Sequence, residues 1–305
     1  MSFALLATCV TLACFGAVHA ALRAVVRFVP RGGDRDIVLF ARGIAPAAFA
    51  AIVSLGVGLP AFLLFEPRHD GERAGIVLLS AAAIGAWQVV RMAARAFGML
   101  RLSRALMRRW SASAAPLQRS PWGMPAFAVD ADFPVVAVAG LIRPRLFVDR
   151  RVLESCSEAE VEAIAAHERA HVRRRDNVRR LIIGACEGPL SASATSWRQA
   201  AEHAADAYAA DSARRALDLA SALLKLARLA GTRSLEGTAV STVHDGGSLD
   251  VRIRRLINLS GSHKPEGGPS AAVLVLILLS GAAAACVPGL LDNVHHVLET
   301  IVRLP

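Results

Sequence analysis

The chain has 305 residues, of which 54% are apolar and only 5% aromatic, and its mean hydropathy is +0.43. The apolar excess lies in long uncharged blocks, which is not typical of a purely soluble domain. The formal net charge is +10, but neither an aromatic stacking platform nor a recognition motif accompanies it, so we expect no nucleic-acid partner. The five cysteines include no C-x-x-C pair, which argues against a disulfide framework and against a thiolate zinc site.

Four blocks of the chain are long and apolar enough to cross a bilayer, a span that takes about 20 apolar residues. We expect transmembrane helices at about residues 2–22, 43–65, 74–95 and 271–291. A cleaved signal peptide is the alternative interpretation of the first block. It is disfavoured because Met1–Leu6 carries none of the positive charge with which such peptides begin.

Arginine is distributed unevenly between the connections. Five arginines lie in the first connection and more follow the third block, whereas the second connection is net acidic. Basic connections favour the cytoplasmic side of a membrane. We therefore expect three transmembrane helices in residues 1–99, a cytoplasmic domain in residues 100–269, and a fourth helix with a short external tail in residues 270–305. Both termini would then lie outside.

A small sheet is expected shortly before the middle of the cytoplasmic segment. Three β-like runs precede the candidate functional helix, at residues 126–129, 135–139 and 146–148. Gly140 and Pro144 separate the last two runs, as turn residues do. A Ser/Ala/Pro-rich stretch at residues 110–119 is interpreted as a linker.

An H-E-x-x-H string, from His167 to His171, lies in a segment with helical periodicity. Ser157 and Glu160 form a capping-box signature that predicts where this helix begins. Residues four apart share one helix face, so the two histidines point the same way. Two such imidazoles make half of a tetrahedral zinc site, and Glu168 beside them can take a proton from metal-bound water.

A second helix offers the third protein ligand that zinc requires. Ser196 and Gln199 form another capping-box signature, and the alanine-rich run after them favours a helix. Glu202 and Asp206 lie four apart in this run and therefore face the same way. We predict that Glu202 binds zinc and that Asp206 accepts the second N–H of a ligand histidine.

At these residues the chain resembles the BlaR/MecR-type integral-membrane zinc metallopeptidases. His167–Asn177 looks like their active-site helix, Glu202–Asp206 is similar to their second zinc motif, and Leu141–Val148 resembles the lead-in. The order of three spans, a zinc domain and a fourth span agrees as well. The resemblance implies a membrane α+β fold: four transmembrane helices and a mainly helical zinc-metallopeptidase domain with a small β-sheet. It also implies a zinc-dependent endopeptidase with a glutamate as third ligand.

The resemblance implies a multi-pass protein of a bacterial-type cytoplasmic membrane, with the zinc domain in the cytoplasm. The expected substrate is a cytoplasmic or membrane-associated protein, such as a transcriptional repressor in a signalling pathway. Only 14 residues follow Leu291, so we expect no extracellular ligand-binding domain. A signal would then come through the spans, a loop or a sensing partner protein. The segment Cys186–Ser196 lacks the aromatic-proline turn of the family, which leaves the path to Glu202 open.

Two other interpretations stay open. One is a quality-control protease similar to HtpX and the CAAX prenyl proteases, because Ser241–His244 and Arg252–Leu256 faintly resemble a late segment of those proteins. On the plainer interpretation, His244 lies in a surface loop and Arg252 is a charge at a helix start. The other is a non-catalytic membrane signal transducer that retains the metallopeptidase fold.

No motif identifies the group that would stabilise the oxyanion of a tetrahedral intermediate. Tyr208, the only tyrosine of the chain, His203 and His244 are the candidates. A substrate could be held in extended form by strand addition to the 135–148 region. The basic run Arg173–Arg180 is interpreted as a solvated face that complements the helix dipole, or as a contact with anionic membrane lipid.

Overall fold

The structure is a computed structural model that describes residues 2–28, 36–65, 75–117, 123–130, 136–230 and 249–259, together with positions 293, 296 and 300. These residues are mostly helical and include one small mixed sheet, which confirms the expected mixture of elements. They form two compact units. The first takes its described residues from 1–33, 41–94 and 268–305, and the second from 34–40 and 95–267.

The first unit contains the helices of the predicted membrane spans. They are α1 (Phe3–Phe28), α2 (Asp36–Val53) with a following π-helical turn (Ser54–Gly58), α3 (Leu59–Phe65) and α4 (Ile76–Ala112), which continues into the second unit. Three stretches are long and apolar enough to cross a membrane: Phe3–Val26, Asp36–Phe65 and Ile76–Ala112. Three of the predicted spans are thus helical, and the fourth, residues 271–291, lies outside the described residues.

Helices α1 and α4 approach closely within the first unit. A Cβ atom at Gly85 of α4 would lie 1.9 Å from the carbonyl oxygen of Leu12 in α1, so only glycine fits there. Small residues allow this kind of close backbone packing between membrane helices. One turn along, His19 Nδ1 lies 2.7 Å from Gln88 Oε1 and adds a buried polar contact between the same two helices.

The sheet of the second unit has the strand order β1-β2-β4-β3. Its strands are β1 (Ala115–Pro116), β2 (Ala126–Val129), β3 (Val136–Ala139) and β4 (Arg145–Asp149). Strands β2 and β4 are parallel, and the other two pairings are antiparallel. The prediction of a linker at residues 110–119 is wrong for its first part: α4 runs to Ala112, and the buried Trp110 ring packs 5.5 Å from that of Phe147. Burial of the Trp110 indole against the sheet favours a helix here, although the local Ser/Ala composition predicts a linker.

In the described residues six helices follow the sheet, and one of them forms the centre of the unit. They are α5 (Arg150–Ser155), α6 (Glu158–Arg173), α7 (Asp176–Glu187), α8 (Ala192–Ala209), α9 (Ala213–Ala230) and α10 (Leu249–Leu259). Helix α6 buries Ile164 and Ala165 against sheet residues Leu146 and Val148. Its Ala163 and Ala166 pack in a second cluster with α9 and α10. Burial on both sides keeps α6 in a single position.

The start of α6 is held by the capping box that the sequence predicts. Glu160 N–H donates to Ser157 Oγ at 3.3 Å, and Ser157 N–H donates to Glu160 Oε2 at 2.7 Å. The same carboxylate accepts from Ser221 Oγ and Lys225 Nζ of α9, both at 2.6 Å. Burial of this carboxyl raises its pKa, but the hydrogen bonds outweigh burial and lower the pKa to about 2. Glu160 therefore ties the active-site helix to α9.

We predict that Glu160→Gln destabilises the protein by roughly 1–3 kcal/mol at neutral pH, since hydrogen bonds to a charged acceptor are worth about that much. The folded pKa is lowered from 4.5, so this contribution is present above pH 4.5 and is lost as the pH falls toward 2. Denaturant unfolding of the full chain in detergent, at a series of pH values, measures it. The exposed Glu154→Gln is the control, and a Glu160→Gln deficit that is independent of pH would contradict the assignment.

Candidate metal centre

Two helices bring three metal-binding side chains together. Helix α6 places His167 and His171 one turn apart, with their Nε2 atoms 3.1 Å from each other. From α8, Glu202 Oε2 lies 3.4 Å from His167 Nε2 and Glu202 Oε1 lies 3.6 Å from His171 Nε2. All three side chains are buried. Two imidazoles and one carboxylate thus converge on one point in the interior.

The spacing of these atoms fits a zinc ion. Ligand atoms at bond lengths of about 2.0–2.1 Å around a tetrahedral ion lie about 3.3 Å from one another. The donor atoms of His167, His171 and Glu202 all lie within 4.8 Å of one another, and the separations given above bracket the tetrahedral value. Three protein ligands leave one position open for water or a carbonyl oxygen, as in catalytic zinc sites.

Each of the two histidine rings has a carboxylate next to its Nδ1 atom, which orients the ring. His167 Nδ1 lies 3.0 Å from Asp206 Oδ1, and His171 Nδ1 lies 2.7 Å from Asp176 Oδ2. With a carboxylate on the Nδ1 side of each ring, both Nε2 atoms are left for a metal. Asp206 lies where the sequence-based assignment requires. Asp176 was missed, although it is the only acidic residue in the arginine-rich run after His171, and that contrast was the available signal.

Arg252 joins the two acidic residues of α8. Its Nε and Nη2 atoms donate to Asp206 at 2.7 Å each, and Nη1 lies 3.1 Å from Glu202 Oε2. The guanidinium is only 1% exposed, and these carboxylates raise its pKa further despite burial. Arg252 lies in the first turn of α10, which agrees with its plainer interpretation as a charge at a helix start, but its side chain is buried against α8. It fixes the direction from which Glu202 approaches the site.

The electrostatics of the cluster favour a cation. Burial lowers the pKa of His167, but Asp206 and Glu202 outweigh burial and raise it to about 10. Burial likewise raises the pKa of Glu202, while His171, Arg252 and His167 together lower it well below its ordinary range. A field that holds a proton so firmly on an imidazole nitrogen attracts a metal ion to the same place, where the ion competes with the proton.

Glu168 follows His167 in α6, and its buried carboxylate lacks the hydrogen bonds that such groups usually have. The side chain is 1% exposed, and neither carboxylate oxygen accepts a hydrogen bond from any residue that the structure describes. Burial raises the pKa of Glu168 against the opposing effect of the two histidines, which makes the carboxylate a stronger base. A buried carboxylate without a donor is suited to a ligand that brings its own proton, such as a water molecule.

Two of the candidates for oxyanion stabilisation, Tyr208 and His203, contact arginines, and these contacts do not reach the three candidate metal ligands. Tyr208 is 44% exposed, and its hydroxyl accepts a hydrogen bond from Arg173 at 3.0 Å. His203 Nδ1 lies 3.4 Å from Arg255 Nη1 at the surface of α8. His244 lies outside the described residues. Their role in catalysis stays a prediction.

The connection between α6 and α8 corrects two expectations. The run Arg173–Arg180 is not one solvated face: α6 ends at Arg173, Arg175 takes a left-handed conformation with φ 55°, and Arg180 is buried in α7. Helix α8 begins after Ser191, whose Oγ accepts from Ala194 N–H, so the predicted cap at Ser196 is wrong. Ser191 follows Gly188 by three residues and donates its N–H to the Gly188 carbonyl at 3.1 Å. The φ of 100° at Gly188 turns the chain here without an aromatic-proline motif.

A family model described as BlaR1 peptidase M56 matches residues 74–256, more than half of the chain. The chain belongs to this family. It is accordingly a membrane-associated peptidase, and the matched segment contains the three side chains that could hold a metal ion, His167, His171 and Glu202. A search of curated proteins gave no match. The family assignment agrees with the resemblance seen in the sequence and favours it over the prenyl-protease interpretation.

We predict that Asp176→Asn weakens zinc binding about 10- to 100-fold, because carboxylates that hold metal-binding histidines typically contribute that much. Competition with a chromophoric chelator, on the purified full chain, measures the affinity. Asp211→Asn is the matched control, since Asp211 lies in the exposed turn before α9 and pairs there with Arg215. Equal affinity of the Asp176 variant and wild type would remove Asp176 from the site.

Proposed function

We propose that this M56 family member is a zinc-dependent endopeptidase that cleaves a cytoplasmic or membrane-associated protein. The observation that carries the proposal is the buried Glu168 carboxylate, which has no described hydrogen-bond donor and lies beside the His167, His171 and Glu202 cluster. Buried polar groups normally have partners, so a group left in this state within a peptidase family is best explained by a ligand.

The chain's own residues divide the chemistry between them. His167, His171 and Glu202 would hold zinc, which supplies a Lewis acid and lowers the pKa of a water bound to it. Glu168 accepts the proton of the attacking water and delivers it to the leaving amine. Asp206 and Asp176 keep the two imidazoles in the tautomer that presents Nε2 to the metal.

We further propose that the substrate binds in extended form at the edge of the sheet formed by β3. That strand ends the described sheet, and α6 lies next to it. Asn177 Nδ2 donates to the Val138 and Gly140 carbonyls at 2.9 and 3.2 Å, which occupies one end of this edge. A substrate strand would therefore pair from the Val136 end or displace the amide. A transcriptional repressor in a signalling pathway is the class of substrate that we propose.

The proposed location is a bacterial-type cytoplasmic membrane, with the zinc domain in the cytoplasm and a sensing partner or loop as the source of any signal. Three helices long and apolar enough to span a membrane support a multi-pass protein, and residues 271–291 would add a fourth span. The arginine-rich connections support the cytoplasmic side for the zinc domain. Basic side chains around the domain would contact anionic lipid.

The topology predicts that a reporter fused after Pro305 lies outside the cytoplasm. An alkaline phosphatase fusion there should be active and a fluorescent-protein fusion dark, because the former folds only outside and the latter only inside. Fusions at the loop that contains Gly71 provide the matched external position, and fusions after Ala230 provide the cytoplasmic one. A fluorescent fusion at Pro305 would contradict the four-span arrangement.

Glu168→Gln should leave zinc binding intact and lower the cleavage rate by about 10²- to 10⁴-fold, because it removes a general base while keeping the shape of the side chain. Metal content of the purified variant and a proteomic comparison of cleaved peptides in wild-type and variant cells measure the two effects. Glu162→Gln is the control, as Glu162 lies on the exposed face of the same helix. Unchanged cleavage by the Glu168 variant would instead indicate a non-catalytic transducer.

A further inference from the structure

The first turn of α2 contacts the helices that carry the candidate metal ligands. Asp36 Oδ2 accepts from Arg174 Nη2 at 2.5 Å and from Arg179 Nη1 at 3.1 Å. The Asp36 side chain is 21% exposed, and residues 34–40 belong to the same compact unit as the metal centre. One carboxylate, at the first residue of α2, therefore holds two guanidinium groups of the second unit.

Both of these arginines also face the carboxylate behind His171. Arg174 Nε lies 3.8 Å and Arg179 Nη1 lies 3.7 Å from Asp176 Oδ1, while Asp176 Oδ2 holds His171 Nδ1. Asp36 and Asp176 thus share the same pair of cations. If Asp36 is removed, the two guanidinium groups lose the contact that keeps them in place, and the field at Asp176 changes. That change reaches the metal through His171.

A second set of contacts reaches the other ligand helix. Arg174 Nη1 donates to the Ala201 carbonyl at 3.3 Å, one residue before Glu202. The Phe40 ring lies 6.1 Å from the ring of the buried Trp197 in α8. The Cζ atom of Arg179 lies 5.8 Å from the centroid of the same phenyl ring. The segment from Asp36 to Phe40 therefore contacts α7 and α8 at once.

We propose that Asp36 and Phe40 are positioning residues for the metal centre, so that the zinc affinity of the site depends on the first turn of α2. The inference rests on the proposed zinc-dependent function and extends it to regulation. Helix α2 continues as part of a stretch that is long and apolar enough to span a membrane. A signal that moves its first turn would change the zinc site without any ligand entering that site.

A contact that only stabilises the fold would behave differently from a positioning contact. Its loss lowers the thermal stability of the metal-free protein and leaves the zinc affinity of the folded fraction unchanged. Breaking a positioning contact weakens zinc binding in protein that is still folded. The two roles are therefore separated by measuring zinc affinity and metal-free unfolding on the same samples.

The test uses the full chain in detergent and measures zinc affinity by competition with a chromophoric chelator. Asp36→Asn should weaken zinc binding about 3- to 10-fold, somewhat less than loss of a direct histidine partner. Asp36→Glu, which keeps the charge, should restore the affinity to within about twofold of wild type. Asp211→Asn, which breaks an exposed Asp–Arg pair elsewhere, should have no effect. Wild-type affinity in Asp36→Asn overturns the proposal.

A second variant keeps the test decisive if Asp36→Asn does not accumulate. Arg179→Gln should weaken zinc binding by a similar factor, and the Asp36→Asn/Arg179→Gln double variant should be no weaker than the worse single variant, because both break the same contact. Additive losses, or wild-type affinity in Arg179→Gln, overturn the proposal. If the wild-type protein binds no zinc, the proposed function is overturned as well. If the wild-type protein binds zinc and cleaves in a Glu168-dependent manner, but the Asp36 variants keep its zinc affinity, this inference alone is overturned.

Discussion

The second unit of the structure depends on a buried excess of negative charge. Four carboxylates lie in its interior around the two histidines, namely those of Asp176, Glu168, Glu202 and Asp206, and the buried cations beside them are Arg180 and Arg252. With all four carboxylates ionised and both histidines neutral, these groups carry two more negative than positive charges. Buried charges cost several kcal/mol each, so the cluster favours an added cation, either the proton that His167 holds or a metal ion that replaces it. A divalent cation bound by His167, His171 and Glu202 would supply that charge.

The surrounding helices are arranged to hold this cluster. Helix α6 is fixed at its start by the Ser157–Glu160 capping box and along its length by the sheet and α9. Helix α8 presents Glu202 and Asp206, and the guanidinium of Arg252 from α10 holds both. Rigid placement of the ligands matters because a metal site tolerates errors of only about half an ångström. The same placement keeps Glu168 in a buried position where no residue in the described part of the chain donates a hydrogen bond to it.

Local patterns in the sequence are sufficient for the parts of this arrangement that lie within single elements. The capping box, the shared face of His167 and His171, and the short strands follow from spacing and turn residues alone. The start of α8 does not, because Ser191 and Ser196 both head runs that favour a helix and the choice between them depends on packing. The contacts of Arg252 and Asp36 do not follow either, since they join residues 46 and 138 positions apart in the chain. Charge pairs between residues far apart in the chain produce no periodic pattern in the local sequence.

X-ray absorption at the zinc edge, together with metal analysis of the purified full chain, tests the metal centre most directly. We expect one zinc per chain with only nitrogen and oxygen ligands at about 2.0–2.1 Å, and with outer-shell scattering from two imidazoles. Glu202→Ala should lower the zinc content per chain, because it removes one of the three protein ligands. A sulfur ligand near 2.3 Å, or full zinc content in Glu202→Ala, would contradict this metal centre.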